Sequence, residues 1–293
     1  MSDASAENIK TVAVIGAGTM GHGIAQVCAM AGCTTRLTDV GSDQVEAGLA
    51  RITANLDKGI ARGKIEPGLK EGTLARLSGT TALDEAVTGA DLVIEAAPEK
   101  LAIKREIFAK VTAVVGEDAI LGTNTSSLSI TDIAAEIPNP SRVIGLHFFN
   151  PVHIMKLLEI VVGAETSEAV SATMRAFAER IGKQPIVVKD APGFATSRLG
   201  LVIGLEAIRM VEQGVASPED IDKAMTLGYG FPMGPLKLTD LVGLDVRLSI
   251  AEYLAEKLDQ GDHFNPPQLL RDMVSEGKLG KKSGQGFYAW PKK

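Results

Sequence analysis

An apolar run that empties into a glycine-rich turn constrains this chain more than any other feature. Val12-Ala13-Val14-Ile15 lead directly into Gly16-Ala17-Gly18-Thr19-Met20-Gly21. Four consecutive apolar residues read as a strand covered on both faces, the habit of parallel sheets. The three glycines have separate physical tasks. Gly16 permits a tight turn, Gly18 lets the backbone approach a diphosphate, and Gly21 lets the following helix pack on the strand. A helix entered through Thr19 and Met20 aims its first N–H groups and its positive dipole end at the phosphates. On its own the glycine pattern is a weak signal, since glycine-rich turns are common. Context strengthens it: a second strand ends in Thr38-Asp39, with Asp39 18 residues after Gly21. A carboxylate there accepts hydrogen bonds from both ribose hydroxyls of NAD and repels the extra phosphate of NADP. NAD is therefore the expected cofactor, with Arg36 as the nearby residue that leaves NADP open. The segment 277–283 superficially resembles a phosphate-binding loop, but its leading glycine is misplaced and no apolar strand precedes it.

Around this turn, strands are expected at residues 11–15, 34–38, 92–96, 120–122, 143–148, 157–162 and 185–188. Ile103, Ile107, Val111 and Val115 recur every four residues and predict one apolar helix face over 100–115. Alternating strands and helices call for a mostly parallel, doubly wound sheet. Beyond the turn Asp190-Ala191-Pro192-Gly193 the pattern becomes helical, with helices expected at 195–213, 218–227 and 236–258. Ser217-Pro218-Glu219-Asp220 is a good helix start, with a capping side chain, proline in the first turn and acids behind it. The expected fold is an α/β Rossmann-type N-terminal domain over 1–189 followed by an all-α domain over 190–293. About a hundred helical residues are marginal alone. That second domain is expected to bury its apolar faces against the first domain, another subunit, or both.

Composition narrows the function classes. The 293 residues carry 30 Lys and Arg against 36 Asp and Glu, a formal charge of -6, which makes a general nucleic-acid binder a poor reading. Two cysteines, Cys28 and Cys33, cannot build a disulfide framework and read as small core residues. No apolar stretch approaches the roughly 18 residues of a membrane span, and residues 1–10 contain no apolar signal core. A cytoplasmic location is expected, without membrane or nucleic-acid partners.

Four histidines occur, none paired at a metal-ligand spacing, so no metal site is expected. His147 stands apart because it ends the expected strand 143–148, where open α/β sheets bind ligands. The chain then turns and runs back through Leu157-Leu158-Glu159-Ile160-Val161, a single acid inside an apolar strand. A buried carboxylate needs a partner. His147 across the turn would be one, and the pairing would fix the imidazole tautomer. From spacing alone, a structural ion pair or a solvent-facing Glu159 fits equally well. The third element, Asn124-Thr125-Ser126-Ser127, follows the strand at 120–122. Its hydroxyls suit either a substrate oxygen or a helix cap, the latter above all for Ser127 and Ser129. No nucleophile elbow surrounds Ser126, which excludes a serine hydrolase.

Taken together, Gly16 to Gly21, Asn124-Thr125-Ser126-Ser127, His147-Phe148-Phe149-Asn150-Pro151, Glu159 and Pro192-Gly193-Phe194 resemble the (S)-3-hydroxyacyl-CoA dehydrogenases. The likeness is strongest to the short-chain bacterial 3-hydroxybutyryl-CoA type. It covers nearly the whole chain, including Gly230-Phe231-Pro232-Met233-Gly234-Pro235 and Gly284-Gln285-Gly286-Phe287-Tyr288. The resemblance implies His147 as general base and acid, Glu159 as its holder, and Ser126 as a hydrogen-bond partner of the 3-oxygen. It adds Glu99, Lys104 and Asn150 near the ribose and nicotinamide, and Lys282 near the cofactor on closure. It implies an acyl-CoA substrate, a cleft closed by the helical domain, and a homodimer. One position departs from the pattern: Ser197 stands where the family usually has an asparagine that binds the substrate oxygen, and serine has one donor hydrogen in place of two. The basic segment 51–64 resembles the family's stretch near CoA and reads equally well as a solvated helix face. Two other functions share these motifs: a related NAD-dependent hydroxyacid dehydrogenase acting on L-gulonate or carnitine, and a non-catalytic NAD-binding protein.

Overall fold

A computed structural model describes residues 6–259 and 261–291. The chain divides into two compact units, Met1–Ala191 and Pro192–Lys293. The first unit runs β1 (Thr11–Ile15), α1 (Gly21–Met30), β2 (Thr34–Thr38), α2 (Ser42–Ala61), α3 (Pro67–Ala75), β3 (Leu77–Thr80), α4 (Leu83–Val87), β4 (Leu92–Glu95), α5 (Leu101–Thr112), β5 (Ile120–Thr123), α6 (Ile130–Ala134), β6 (Val143–Phe148), β7 (Leu157–Val162), α7 (Glu168–Arg180) and β8 (Gln184–Lys189). One sheet holds all the strands in the order β3-β2-β1-β4-β5-β6-β7-β8. β1 to β6 are mutually parallel, β7 is antiparallel to β6, and β8 is parallel to β7. The chain leaves β1 toward β2 and β3, then returns to β4 on the other side. That reversal opens the crevice in which such sheets bind ligands.

The central strands β1, β4, β5, β6 and β7 are buried on both faces, as their uninterrupted apolar runs require, whereas the edge strands β3 and β8 are largely exposed. Val12, Val14, Leu92, Ile94, Leu121, Ile144 and Ile160 are all fully buried, each contributing about 1.5–3 kcal/mol relative to exposure. Cys28 and Cys33 are free thiols inside this core, and burial pushes the Cys28 thiol up, which keeps it protonated and inert. Ser167 caps α7 by accepting from the Val170 N–H.

Three differences from the sequence expectations have physical reasons. β3 was not expected: Leu77-Ser78-Gly79-Thr80 has no apolar run, and it forms because β2 offers an unpaired edge for it to pair with. The apolar stripe on α5 is turned. Lys104, Phe108 and Val111 face the core, whereas Ile103 and Ile107 are only half-buried and line a cavity. The helix expected at 236–258 is broken at Gly243, whose φ of 107° a helix cannot accept.

The second unit is accordingly α8 (Thr196–Glu212), α9 (Pro218–Lys223), α10 (Pro235–Val242), α11 (Leu244–Lys257) and α12 (Gln268–Ser275). α9 continues as a π-helical turn over Ala224–Gly228. Ser217 caps α9 from the Asp220 N–H, with Pro218 in the first turn. Leu201, Leu205, Leu236, Leu244, Leu254 and Phe264 form its core. Two buried aspartates pin its irregular parts. Asp222 accepts from the Leu236 and Lys237 N–H groups at the start of α10. Asp240 accepts from the Phe287 and Tyr288 N–H groups and from Trp290 Nε1. Among the described residues no helix is long and apolar enough to cross a membrane.

Candidate active site

The crevice at the β1/β4 switch holds a cavity of about 760 Å³, lined by Gly16, Gly18, Thr19, Met20, Asp39 and Ile107 among others. Backbone geometry builds it. Gly16 has φ 100° and its N–H donates to the Thr38 carbonyl at 2.7 Å, tying the turn to the end of β2. A Cβ on Gly16 would lie 2.6 Å from the Ala96 oxygen, and one on Gly21 only 1.6 Å from the Gly16 oxygen. Those two glycines are demanded by the protein's own packing. Gly18 is different: an added Cβ would meet no protein atom within 4 Å. Its lack of a side chain serves nothing in the protein itself, which fits a ligand lying against the backbone at that point. Asp39 accepts from the Ala17 N–H at 2.7 Å and the Val40 N–H at 2.8 Å, one to each carboxylate oxygen. Each oxygen keeps a further lone pair for a ribose hydroxyl. Arg36 does not point its charge at this site, because its guanidinium donates to the carbonyls of Glu85, Ala86 and Thr88 around the end of α4. Turn, open glycine and fixed carboxylate together fit a dinucleotide without a 2′-phosphate.

A second cavity of about 350 Å³ shares Met20, Ala96 and Ala97 with the first and adds Glu99, Asn124, Ser126, His147 and Asn150. His147 and Glu159 face one another directly across the β6–β7 hairpin. His147 Nδ1 lies 2.6 Å from Glu159 Oε2, with Glu159 fully buried and His147 nearly so. An ionised carboxylate can only accept, so Nδ1 carries a proton, and it is Nε2 that holds the lone pair in the tautomer this contact selects. Phe149 packs against the imidazole, ring centroids 4.4 Å apart. The Asn150–Pro151 peptide is cis.

Ser126 sits on the loop after β5, and Glu99 holds that loop. Glu99 Oε1 accepts from the Thr125 hydroxyl at 2.5 Å, from the Ser126 N–H at 2.8 Å and from the Ser127 N–H at 3.2 Å. The Ser126 and Ser127 hydroxyls approach the same oxygen at 3.3 Å. Burial alone would raise the Glu99 carboxyl, but the Lys104 ammonium, the Thr125 hydroxyl and the Ser126 N–H outweigh it and hold it below the usual carboxylate range. Lys104 is completely buried, with Nζ 2.8 Å from Glu95 and 3.3 Å from Glu99. Ser127 thus serves Glu99 rather than a helix. Ser129 does cap α6, accepting from the Asp132 N–H.

Comparison with known proteins agrees with this geometry. The family model described as "3-hydroxyacyl-CoA dehydrogenase, NAD binding domain" matches residues 11–191, and that described as "3-hydroxyacyl-CoA dehydrogenase, C-terminal domain" matches residues 193–290. The chain belongs to the 3-hydroxyacyl-CoA dehydrogenase family. The 3-hydroxybutyryl-CoA dehydrogenase of Mycobacterium tuberculosis is 44% identical over 292 residues, covering 99% of this chain and 100% of that protein. The crystal structure of (S)-3-hydroxybutyryl-CoA dehydrogenase from Ralstonia eutropha superposes with a TM-score of 0.94 at 41% identity, covering 97% of this chain and 100% of that one. The 3-hydroxyadipyl-CoA dehydrogenase of Escherichia coli is 45% identical over 97% of this chain, which spans 59% of that longer protein.

As a member of this family, the chain divides its candidate residues between the two units. Gly16, Gly18, Thr19, Met20, Gly21, Asp39, Glu99, Lys104, Ser126, His147, Asn150 and Glu159 lie in the first. All but Gly21, Lys104 and Glu159 line one cavity or the other; Gly21 packs against the Gly16 carbonyl, and the other two stand behind Glu99 and His147. Ser197 lies in the first turn of α8, and Lys282 pairs with Asp245 at 2.6 Å; both belong to the second unit. Two contributors escaped the sequence reading as site residues. Asn124 accepts the Phe148 N–H at 2.9 Å and so ties the Ser126 loop to the end of β6. Glu95, the last residue of β4, is the partner that lets Lys104 be buried. Its signal was an acid at the end of an otherwise apolar strand.

Proposed function

We propose that this NAD-dependent dehydrogenase interconverts (S)-3-hydroxybutyryl-CoA and acetoacetyl-CoA, with His147 as general base and acid. NAD, when bound, supplies the hydride acceptor at its nicotinamide. The proton is the protein's task. Hydride leaves C3 only as the hydroxyl loses its proton, and His147 Nε2 is the lone pair positioned to take it. The buried Glu159 carboxylate holds the Nδ1–H tautomer and balances the charge that forms on the ring. In the reverse direction the imidazolium returns the proton to the new alkoxide. Ser126 hydrogen-bonds the 3-oxygen from a loop whose backbone Glu99 holds through the Ser126 N–H. Asn150, Glu99 and, through Glu99, Lys104 bound the nicotinamide end. Ser197 and Lys282 are assigned roles toward substrate and cofactor, as the family resemblance implies. A homodimer and a cytoplasmic location complete the reading.

The observation that carries this function is the 2.6 Å His147–Glu159 pair, with His147 on a cavity that shares Met20, Ala96 and Ala97 with the one at the glycine turn. The test is NADH oxidation with acetoacetyl-CoA and longer 3-ketoacyl-CoA thioesters, set against NAD reduction with L-gulonate and carnitine. Fastest turnover is expected with acetoacetyl-CoA; faster turnover of a substrate lacking CoA would overturn the assignment. His147→Gln is expected to lower kcat by roughly a thousandfold with NADH affinity unchanged, and a loss below tenfold would remove the base.

A further inference from the structure

Beneath the smaller cavity lies a charge count that does not balance. Lys104 is a single buried ammonium shared by two carboxylates, Glu95 at 2.8 Å and Glu99 at 3.3 Å. Glu95 is fully buried and further engaged by the Thr123 hydroxyl and the Ala97 N–H, each at 2.6 Å. Every donor around these two acids other than Lys104 is a neutral hydroxyl or backbone N–H. The cluster therefore carries one surplus negative charge, and Glu99 brings it to the cavity wall. No lysine or arginine lines that cavity among the described residues.

This surplus has a ligand to act on, given the reading of the site above, on which the inference rests. A dinucleotide with its adenosine ribose at Asp39 and its diphosphate on the Gly16–Gly21 turn has its nicotinamide end directed into the cavity that shares Met20, Ala96 and Ala97. The diphosphate is common to both redox forms. The nicotinamide ring is cationic in NAD and neutral in NADH, so only the oxidised form gains from a nearby unpaired carboxylate. We propose that the Glu95–Lys104–Glu99 cluster sets the redox preference of the bound cofactor, stabilising NAD relative to NADH. Lys104 cancels one acid and keeps the other ionised, so the chain presents a permanent anion without burying two unpaired charges. One unit charge on the wall of a partly wet site is worth about a factor of ten or more in the relative affinity of a cationic over a neutral ring bound there.

The test is binding, not turnover. Glu99→Gln keeps an oxygen acceptor for Thr125 and Ser126 and leaves Lys104 paired with Glu95, so it removes charge with little else. By calorimetry, its Kd for NAD is expected to rise about tenfold while that for NADH stays within twofold. The potential of the bound couple then rises by about 30 mV, the equivalent of tenfold for two electrons. Glu95→Gln shifts the ratio in the same direction, and carries the test where Glu99→Gln does not fold. Thr125→Val removes a donor to Glu99 without changing charge and leaves the ratio unmoved. Equal weakening of both forms by the carboxylate variants, or no change in either, overturns the inference, as does a ratio shift of the same size in Thr125→Val. Failure of the unmutated protein to bind either form would instead overturn the dinucleotide site itself.

Discussion

The two cavities along the β1/β4 crevice are built by different means. The larger one is shaped by main chain: a glycine with positive φ, a helix start, and a carboxylate held by two backbone N–H groups. The smaller one is shaped by side chains that hold side chains, with Glu159 behind His147 and Lys104 behind Glu99. Grip on a cofactor needs only shape and N–H donors, which backbone supplies. Moving a proton needs a group whose tautomer is fixed, which takes a second residue behind the first. Substitutions at the glycine turn and at the His147–Glu159 pair should therefore separate cofactor binding from proton transfer.

The largest effect sharpening that contrast is expected at Glu159. Glu159→Gln preserves shape but removes the charge that holds the Nδ1–H tautomer and balances the imidazolium. It is expected to lower kcat by roughly a hundred- to thousandfold with NAD and NADH dissociation constants unchanged. Stopped-flow turnover beside calorimetric titration checks both halves. An equal loss of cofactor affinity would show that the two cavities are not functionally separable.

Much of this contrast was legible before any coordinates. The glycine turn and Asp39 follow from local pattern, whereas the spacing allows the His147–Glu159 pair and a solvent-facing Glu159 equally, and the antiparallel register of β6 and β7 decides for the pair. The support for Glu99 was not legible. Lys104 follows Ile103 on a helix whose apolar stripe predicts Ile103 and Ile107 on the core side beside Val111, and a lysine takes that side only because Glu95, nine residues earlier, waits there. Ile103 and Ile107 are spared from the core to line the cofactor cavity, so function rotated the helix away from its simplest amphipathic reading. β3 and the break at Gly243 were hidden for a different reason. Both depend on what a neighbouring segment offers, an open strand edge in one case and a positive φ in the other, and neither leaves a periodic trace.

A smaller effect, on binding alone, should distinguish the glycines. Gly18→Ala places a methyl where the protein has empty space but where the diphosphate is expected, a clash costing about 1–3 kcal/mol or about ten- to hundredfold in NAD affinity. The apo protein should melt as the unmutated one does. Gly21→Ala should do the reverse, since its Cβ meets the Gly16 carbonyl at 1.6 Å: a lower Tm with or without cofactor. A Gly18→Ala variant that melts early, or binds NAD normally, would break the claim that this glycine serves the ligand.

The smallest shift is expected at Asp39. Asp39→Ser removes the acceptor of both ribose hydroxyls and the charge that repels a 2′-phosphate, so NAD should weaken about tenfold and NADP should improve by less. The gain is limited because Arg36, the one cation on the same strand, donates to the carbonyls of Glu85, Ala86 and Thr88. Moving it toward a phosphate would strip those bonds from the end of α4. Paired KM measurements with NAD and NADP would check this. A variant that came to prefer NADP outright would mean Arg36 leaves its carbonyls readily, and that side chains as well as backbone govern the larger cavity.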